Sequence, residues 1–182
     1  ALAGHQRHLK KDHAISELWD AHGKDRNLLI GKSIQRDTFS TDDDYHLVVE
    51  VLLLHEEDKS VLFMRRSPDK PSFPDYYEAT AGGSALQGEN SEQAVHRELL
   101  EETGLTVSRL ELFYQTTEDN YHMHFDKYLG WTKDSKEAIS YQEGETVGHI
   151  WVKPQDLATF LKKEKIVPSQ IEEIKILFDL GD

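Results

Sequence analysis

The chain has 182 residues, 37% of them hydrophobic, with three Trp, no Cys and a formal net charge of −13. That length suits one well-buried core and is short for two, and the apolar fraction belongs to a folded globular protein. The charge argues against a nonspecific binder of nucleic-acid polymers or anionic membranes, yet allows a small phosphorylated substrate whose charge a bound cation meets.

Without cysteine there is no disulfide framework, thiolate chemistry or Cys-type zinc site. No apolar run approaches the ~20 residues of a membrane helix; the longest candidate, Leu47–Leu54, is interrupted by Glu50. The first residues lack the apolar stretch of a signal peptide, so a soluble cytoplasmic protein is the expectation.

Residues 1–13 read as a polar tail, with His5, His8 and His13 as solvated side chains rather than a metal site. Residues 14–182 read as one domain. Its first part, 14–40, is a hairpin extension, in which a turn containing Gly23, Asp25 and Asn27 separates two short apolar runs. Asp42, Asp43 and Asp44 belong to a solvated loop. Tyr45–His55 is too continuously apolar for a one-sided strand and is placed centrally in a sheet.

Ser60–Arg66 is the next strand, ending in Arg65 and Arg66. Pro68, Pro71 and Pro74 keep the following segment out of any central strand or helix interior. It carries Lys70, Phe73, Tyr76 and Tyr77, the aromatics being read as packing groups, and leads through Glu78-Ala79-Thr80-Ala81 into Gly82-Gly83.

A helix is predicted from about Ser91 to Thr103. Asn90 supplies the N-cap with Gln93 at N3, and Gly104 supplies the left-handed residue that ends it. Strands follow over Thr106–Thr117 and Tyr121–Lys133, where His122 and His124 alternate as strand side chains. After a polar loop, Ser135–Gly144, comes a last strand to Val152. Pro154 opens one helix and Pro168 another, in which Ile171, Ile174, Leu177 and Phe178 recur at helical spacing. The order of elements suggests a mixed sheet between helices, an α/β fold.

The predicted helix carries its acids in an unfavourable place. Glu98, Glu101 and Glu102 stand at i, i+3 and i+4 and share one face near the C-terminus. There they repel one another and oppose the macrodipole. A solvated surface would more naturally place Lys or Arg at that end. Three carboxylates in one arc suit a hard divalent cation, which takes oxygen ligands and offsets the repulsion.

Gly83, Glu89 and the run Arg97-Glu98-Leu99-x-Glu101-Glu102-x-Gly104-Leu105 together resemble the Nudix box, spanning 83–105, at every fixed position. The resemblance implies an α/β/α sandwich with a mixed sheet over roughly Tyr45–Phe178, the N-terminal hairpin being an extension. It also implies Mg²⁺ or Mn²⁺ as cofactor, Glu101 and Glu102 as ligands, Glu98 as ligand or general base, and the Gly83 carbonyl completing the coordination. Glu89 is read as supporting the shell or binding the metal through water, and Arg97 as a structural partner of a carboxylate.

The family often draws a further acid from a late loop; Glu145 is the candidate here and Glu143 its competitor. Arg65, Arg66 and Lys70 are the candidate phosphate contacts, because such cations grip phosphate oxygens. The implied activity is hydrolysis of a diphosphate linkage in a nucleoside diphosphate derivative, on a small-molecule substrate, with the hairpin as a possible homodimer contact.

A looser similarity, through Trp19-Asp20, Gly31-Lys32, Tyr45–Val51 and Arg65-Arg66-Ser67, is to the branch containing isopentenyl-diphosphate isomerase. That isomerase chemistry uses a cysteine, which this chain lacks. A non-catalytic nucleotide-binding module is the third reading; such modules commonly lose box acids, and none is lost here.

Overall fold

The computed structural model describes residues 17–38 and 43–181. The tail histidines and Asp42 lie outside those residues. Strands β1 (Leu18–His22) and β2 (Leu28–Gln35) form an antiparallel hairpin. The main sheet holds β3 (His46–His55), β4 (Val61–Arg66), β5 (Tyr77–Glu78), β6 (Thr80–Ser84), β7 (Arg109–Glu118), β8 (Met123–Thr132) and β9 (Thr146–Val152). Its order is β5-β4-β3-β8-β7, with β6 also on β3 and β9 also on β4. Only β3 and β8 pair in parallel, so the sheet is mixed.

The α-helices are α1 (Ser91–Thr103), α2 (Leu157–Lys163) and α3 (Pro168–Leu177). Pro154 opens a short 3₁₀ turn, Pro154–Asp156, before α2 instead of opening that helix directly. Proline at this place needs no donor, so the tighter turn costs nothing extra.

Strand periodicity divides the core. Val49, Val51, Leu53, Leu62 and Met64 pack with Ala94, Val95 and Leu99 of α1 on one face. Leu52, Leu54, Val61 and Phe63 pack with Leu157, Leu161 and Ile174 of α2 and α3 on the other. Because β3 is covered on both faces, a continuous apolar run suits it. Fully burying a residue such as Leu99 contributes about 2 kcal/mol. No helix among the described residues is long and apolar enough to cross a membrane.

Two short strands, β5 and β6, went unread in the sequence. The glycine pair lies inside β6, paired with β3 (Val49 opposite Gly83, Glu50 opposite Gly82), and not in a loop. A Cβ on Gly82 would lie 2.1 Å from the Val49 carbonyl oxygen, so only glycine lets the two strands approach this closely. His122 also differs: it has φ 51° in the turn before β8, whereas His124 is on the strand and buried. Both rings stack on Tyr45, at 4.7 and 4.8 Å.

The hairpin docks against the sheet and the loop before α1. Leu18 O accepts from Gln87 N at 2.9 Å, and Asp20 Oδ2 accepts from Gly88 N at 3.0 Å. Arg26 donates to Asp126 Oδ1 at 2.8 Å, while Asp126 Oδ2 accepts from Ser91 Oγ at 2.7 Å, at the first turn of α1. A single carboxylate therefore joins the hairpin to the start of the helix.

Trp19 stacks on His46 with centroids 4.0 Å apart. Burial pushes the His46 imidazole from 6.5 down to about 4; the Glu17 carboxylate opposes this, and charge on His22, Arg36 or His124 reinforces it. Between pH 6.5 and 4 the unfolded chain therefore holds more proton at this position, so stability falls as pH drops through that window. The expected loss is up to about 3 kcal/mol by the bottom of the window. Melting temperatures from pH 7 to 4 should fall more steeply for the wild type than for His46→Phe, which keeps the stack; equal slopes would refute this.

Candidate active site

Helix α1 has the predicted bounds and caps. Asn90 Oδ1 accepts from Gln93 N at 2.8 Å, and Gln93 Oε1 accepts from Asn90 N at 2.9 Å. Gly104 has φ 75° and its N–H reaches Leu100 O at 2.9 Å. Ala94, Val95, Leu99 and Thr103 are buried. That fixes the rotation of the helix and turns Glu98 and Glu102 toward the glycine strand β6.

Arg97 organises the acids. Its guanidinium grips Glu89 through two donors, at 2.7 and 3.0 Å, and also donates to Glu98 Oε1 at 3.0 Å and Glu101 Oε2 at 3.3 Å. A further donor reaches Ser84 O at 3.1 Å. Burial alone would weaken the Arg97 charge, but the hydrogen bond to Glu89 and the surrounding carboxylates outweigh it and hold the group cationic. Glu89 also accepts from Leu86 N at 2.7 Å, so it braces the loop.

Gly83 and Glu98 are in intimate contact: a Cβ on Gly83 would lie 2.6 Å from a Glu98 carboxylate oxygen. Glu102 accepts from Gly82 N at 3.0 Å. Burial raises the Glu102 carboxyl well above the ordinary carboxylate range, and the charges of Glu98 and Glu78 raise it further, against the Gly82 N–H. A desolvated carboxylate beside two others is a place where a cation would relieve the crowding. Among the described residues no three carboxylate or imidazole groups already converge on one point, since Glu98 and Glu101 turn to Arg97 and Glu102 to Gly82. The donor set is still the hard-oxygen kind that Mg²⁺ or Mn²⁺ takes.

A small cleft of about 20 Å³ opens beside Glu102, lined also by Glu78, Glu145, Met64, Gln142 and Thr146. The late-loop acid that reaches it is Glu145, which is buried; Glu143 is exposed and is not among the lining groups. Glu78 is the site residue that sequence reasoning missed. Its short strand β5 carries no local signal, and only the pairing of Met64 with Glu78 across the strands brings it here.

Two of the three candidate phosphate cations, Lys70 and Arg66, pair with carboxylates. Lys70 is buried, with its ammonium 2.5 Å from Glu145 Oε2. Burial would raise the Glu145 carboxyl, but the Lys70 hydrogen bond counters it and the net direction is downward. Arg66 donates to Ser72 O and Phe73 O, holding the proline-rich loop, and to Glu78 at 3.0 Å. Arg65 alternates with Met64 and Arg66, so it lies on the α2 and α3 face of the sheet, beside Gly148. Lys70 and Arg66 are thus each paired with a carboxylate that lines the acid cleft.

Comparison with known proteins places this geometry in context. The NUDIX domain model matches residues 44–173. An uncharacterized Nudix hydrolase of Listeria monocytogenes is 31% identical over 155 residues, covering 84% of this chain and 89% of the relative. A prenyl-diphosphate phosphatase of Methanosarcina mazei is 28% identical over 152 residues, covering 80% and 87%. Among solved structures, a Deinococcus radiodurans protein superposes with TM-score 0.63 at 19% identity, covering 87% of this chain and 98% of that one. A MutT structure from work on Aliivibrio salmonicida and Vibrio cholerae gives 0.56 at 24%, covering 75% and 99%. At those identities the structural likeness speaks to the fold.

Proposed function

The chain belongs to the Nudix family, as a hydrolase of the pyrophosphohydrolase class, and we propose that it cleaves the diphosphate linkage of a nucleoside diphosphate derivative with Mg²⁺ or Mn²⁺ as cofactor. The observation that carries this reading is the crowding of Glu98, Glu101 and Glu102 on one helix end against β6, with Glu102 desolvated beside two other carboxylates. Glu98, Glu101 and Glu102, with the Gly83 carbonyl, would hold the ion. When bound it supplies charge neutralisation on phosphate oxygens and lowers the pKa of bound water.

The chain's own groups do the remaining work. Arg97 orients Glu98 and Glu101 and fixes the loop through Glu89. Glu145 is the acid on the opposite wall of the cleft, and Lys70 keeps it ionised and aimed. Glu98 or Glu145 is the group to take a proton from attacking water. Gly83, without a side chain, lets the Glu98 carboxylate come close against β6.

The test is a substrate panel of nucleoside diphosphate derivatives and prenyl diphosphates, with Mg²⁺ or Mn²⁺, read by product chromatography. Divalent-dependent release of phosphorylated halves from the nucleoside derivatives is expected. Turnover of no diphosphate with either ion would overturn the reading, and preference for the prenyl substrates would overturn its nucleoside part.

A further inference from the structure

The loop before β9 holds an aromatic pair that the hydrolytic chemistry does not use. Tyr141 is 45% exposed, yet its hydroxyl is fixed 2.7 Å from His149 Nδ1, with ring centroids 5.8 Å apart and planes tilted by 53°. His149 stands directly across from Met64 in the β4–β9 register, on the sheet face whose Met64 lines the acid cleft. Gln142, the residue after Tyr141, lines the same cleft. The loop is anchored to the end of α1, where Ser140 N donates to Thr103 O at 3.0 Å. The loop and the strand thus hold the pair next to residues, Gln142 and Met64, that line the acid cleft.

We propose that Tyr141 and His149 form the wall on which the substrate's nucleobase stacks, with the Gln142 amide facing the base edge. The proposal rests on the hydrolase reading above and names the part of the site that would select the organic group. An aromatic side chain with its polar end already bonded presents its ring without further ordering, which favours binding of a flat partner. Burial pushes the His149 imidazole below its ordinary value, so near neutral pH it meets a base as an uncharged ring. A prenyl chain calls for a predominantly apolar pocket. Here Glu78, Thr80, Gln142 and Thr146 leave only Met64 and Ala81 as apolar lining.

Calorimetric titration with ADP, inorganic pyrophosphate and dimethylallyl diphosphate tests this without turnover. Tyr141→Ala should weaken ADP binding about tenfold and leave the two base-free probes within about twofold. Tyr141→Phe keeps the ring and should retain ADP within about threefold. Equal weakening of all three probes, unchanged ADP binding, or a loss confined to dimethylallyl diphosphate would each overturn the proposal. A Tyr141-dependent preference for ADP in a protein that hydrolyses nothing would leave this wall standing and sink the hydrolase reading. Divalent-dependent hydrolysis with ADP binding indifferent to Tyr141 would do the reverse.

Discussion

Replacing Glu102 by Gln is expected to lower kcat on the order of 10³-fold while leaving the melting temperature unchanged or higher. The two effects part because the carboxylate is unfavourable to the fold and useful to the chemistry. Its charge is desolvated beside Glu98 and Glu78, and among the described residues its carboxylate accepts from the Gly82 N–H, which an amide oxygen accepts as well. Gln keeps the shape and removes the repulsion, but it cannot match a carboxylate as a hard anionic ligand. Steady-state kinetics together with thermal melts check both halves. A variant that lost stability in step with activity would show that Glu102 serves the fold, and full activity would remove it from the site.

The glycine pair gives the second large effect, and its members should fail differently. Gly82→Ala is expected to destabilise the protein by on the order of 3 kcal/mol, because its Cβ would meet the Val49 carbonyl oxygen at 2.1 Å and the Glu50 Cα at 3.0 Å. Those are backbone atoms of the central strand, and they cannot move without parting β6 from β3. At Gly83 the clash is with the Glu98 carboxylate at 2.6 Å, the end of a flexible side chain. Gly83→Ala should therefore fold with little loss of stability but displace Glu98 and lower kcat. Denaturant unfolding of the two variants beside their kinetics separates these cases; equal stability of both would contradict the close approach of the strands.

What could be read in advance was what short stretches of chain decide. Asn90, Gln93 and Gly104 fix α1 through contacts within a few residues, so its bounds and its arc of acids followed from sequence. The two-sided apolar run of β3 likewise announced its central place. The carboxylate partners of Lys70 and Arg66 were not legible, because a cation after a strand looks the same whether it faces a phosphate or a carboxylate. Only the packing of distant segments brings Glu145 to Lys70 and Glu78 to Arg66. Strand β6 was missed for a related reason: glycines signal a turn locally, and it takes β3 alongside to show that they permit close pairing.

The central claim is that the acids at the end of α1 bind a divalent cation, and Mn²⁺ titration followed by electron paramagnetic resonance measures it most directly. The wild type should take up Mn²⁺ saturably and release it to excess Mg²⁺, and Glu102→Gln should weaken that uptake at least about tenfold with the fold intact. Equal Mn²⁺ binding by wild type and variant would contradict the account.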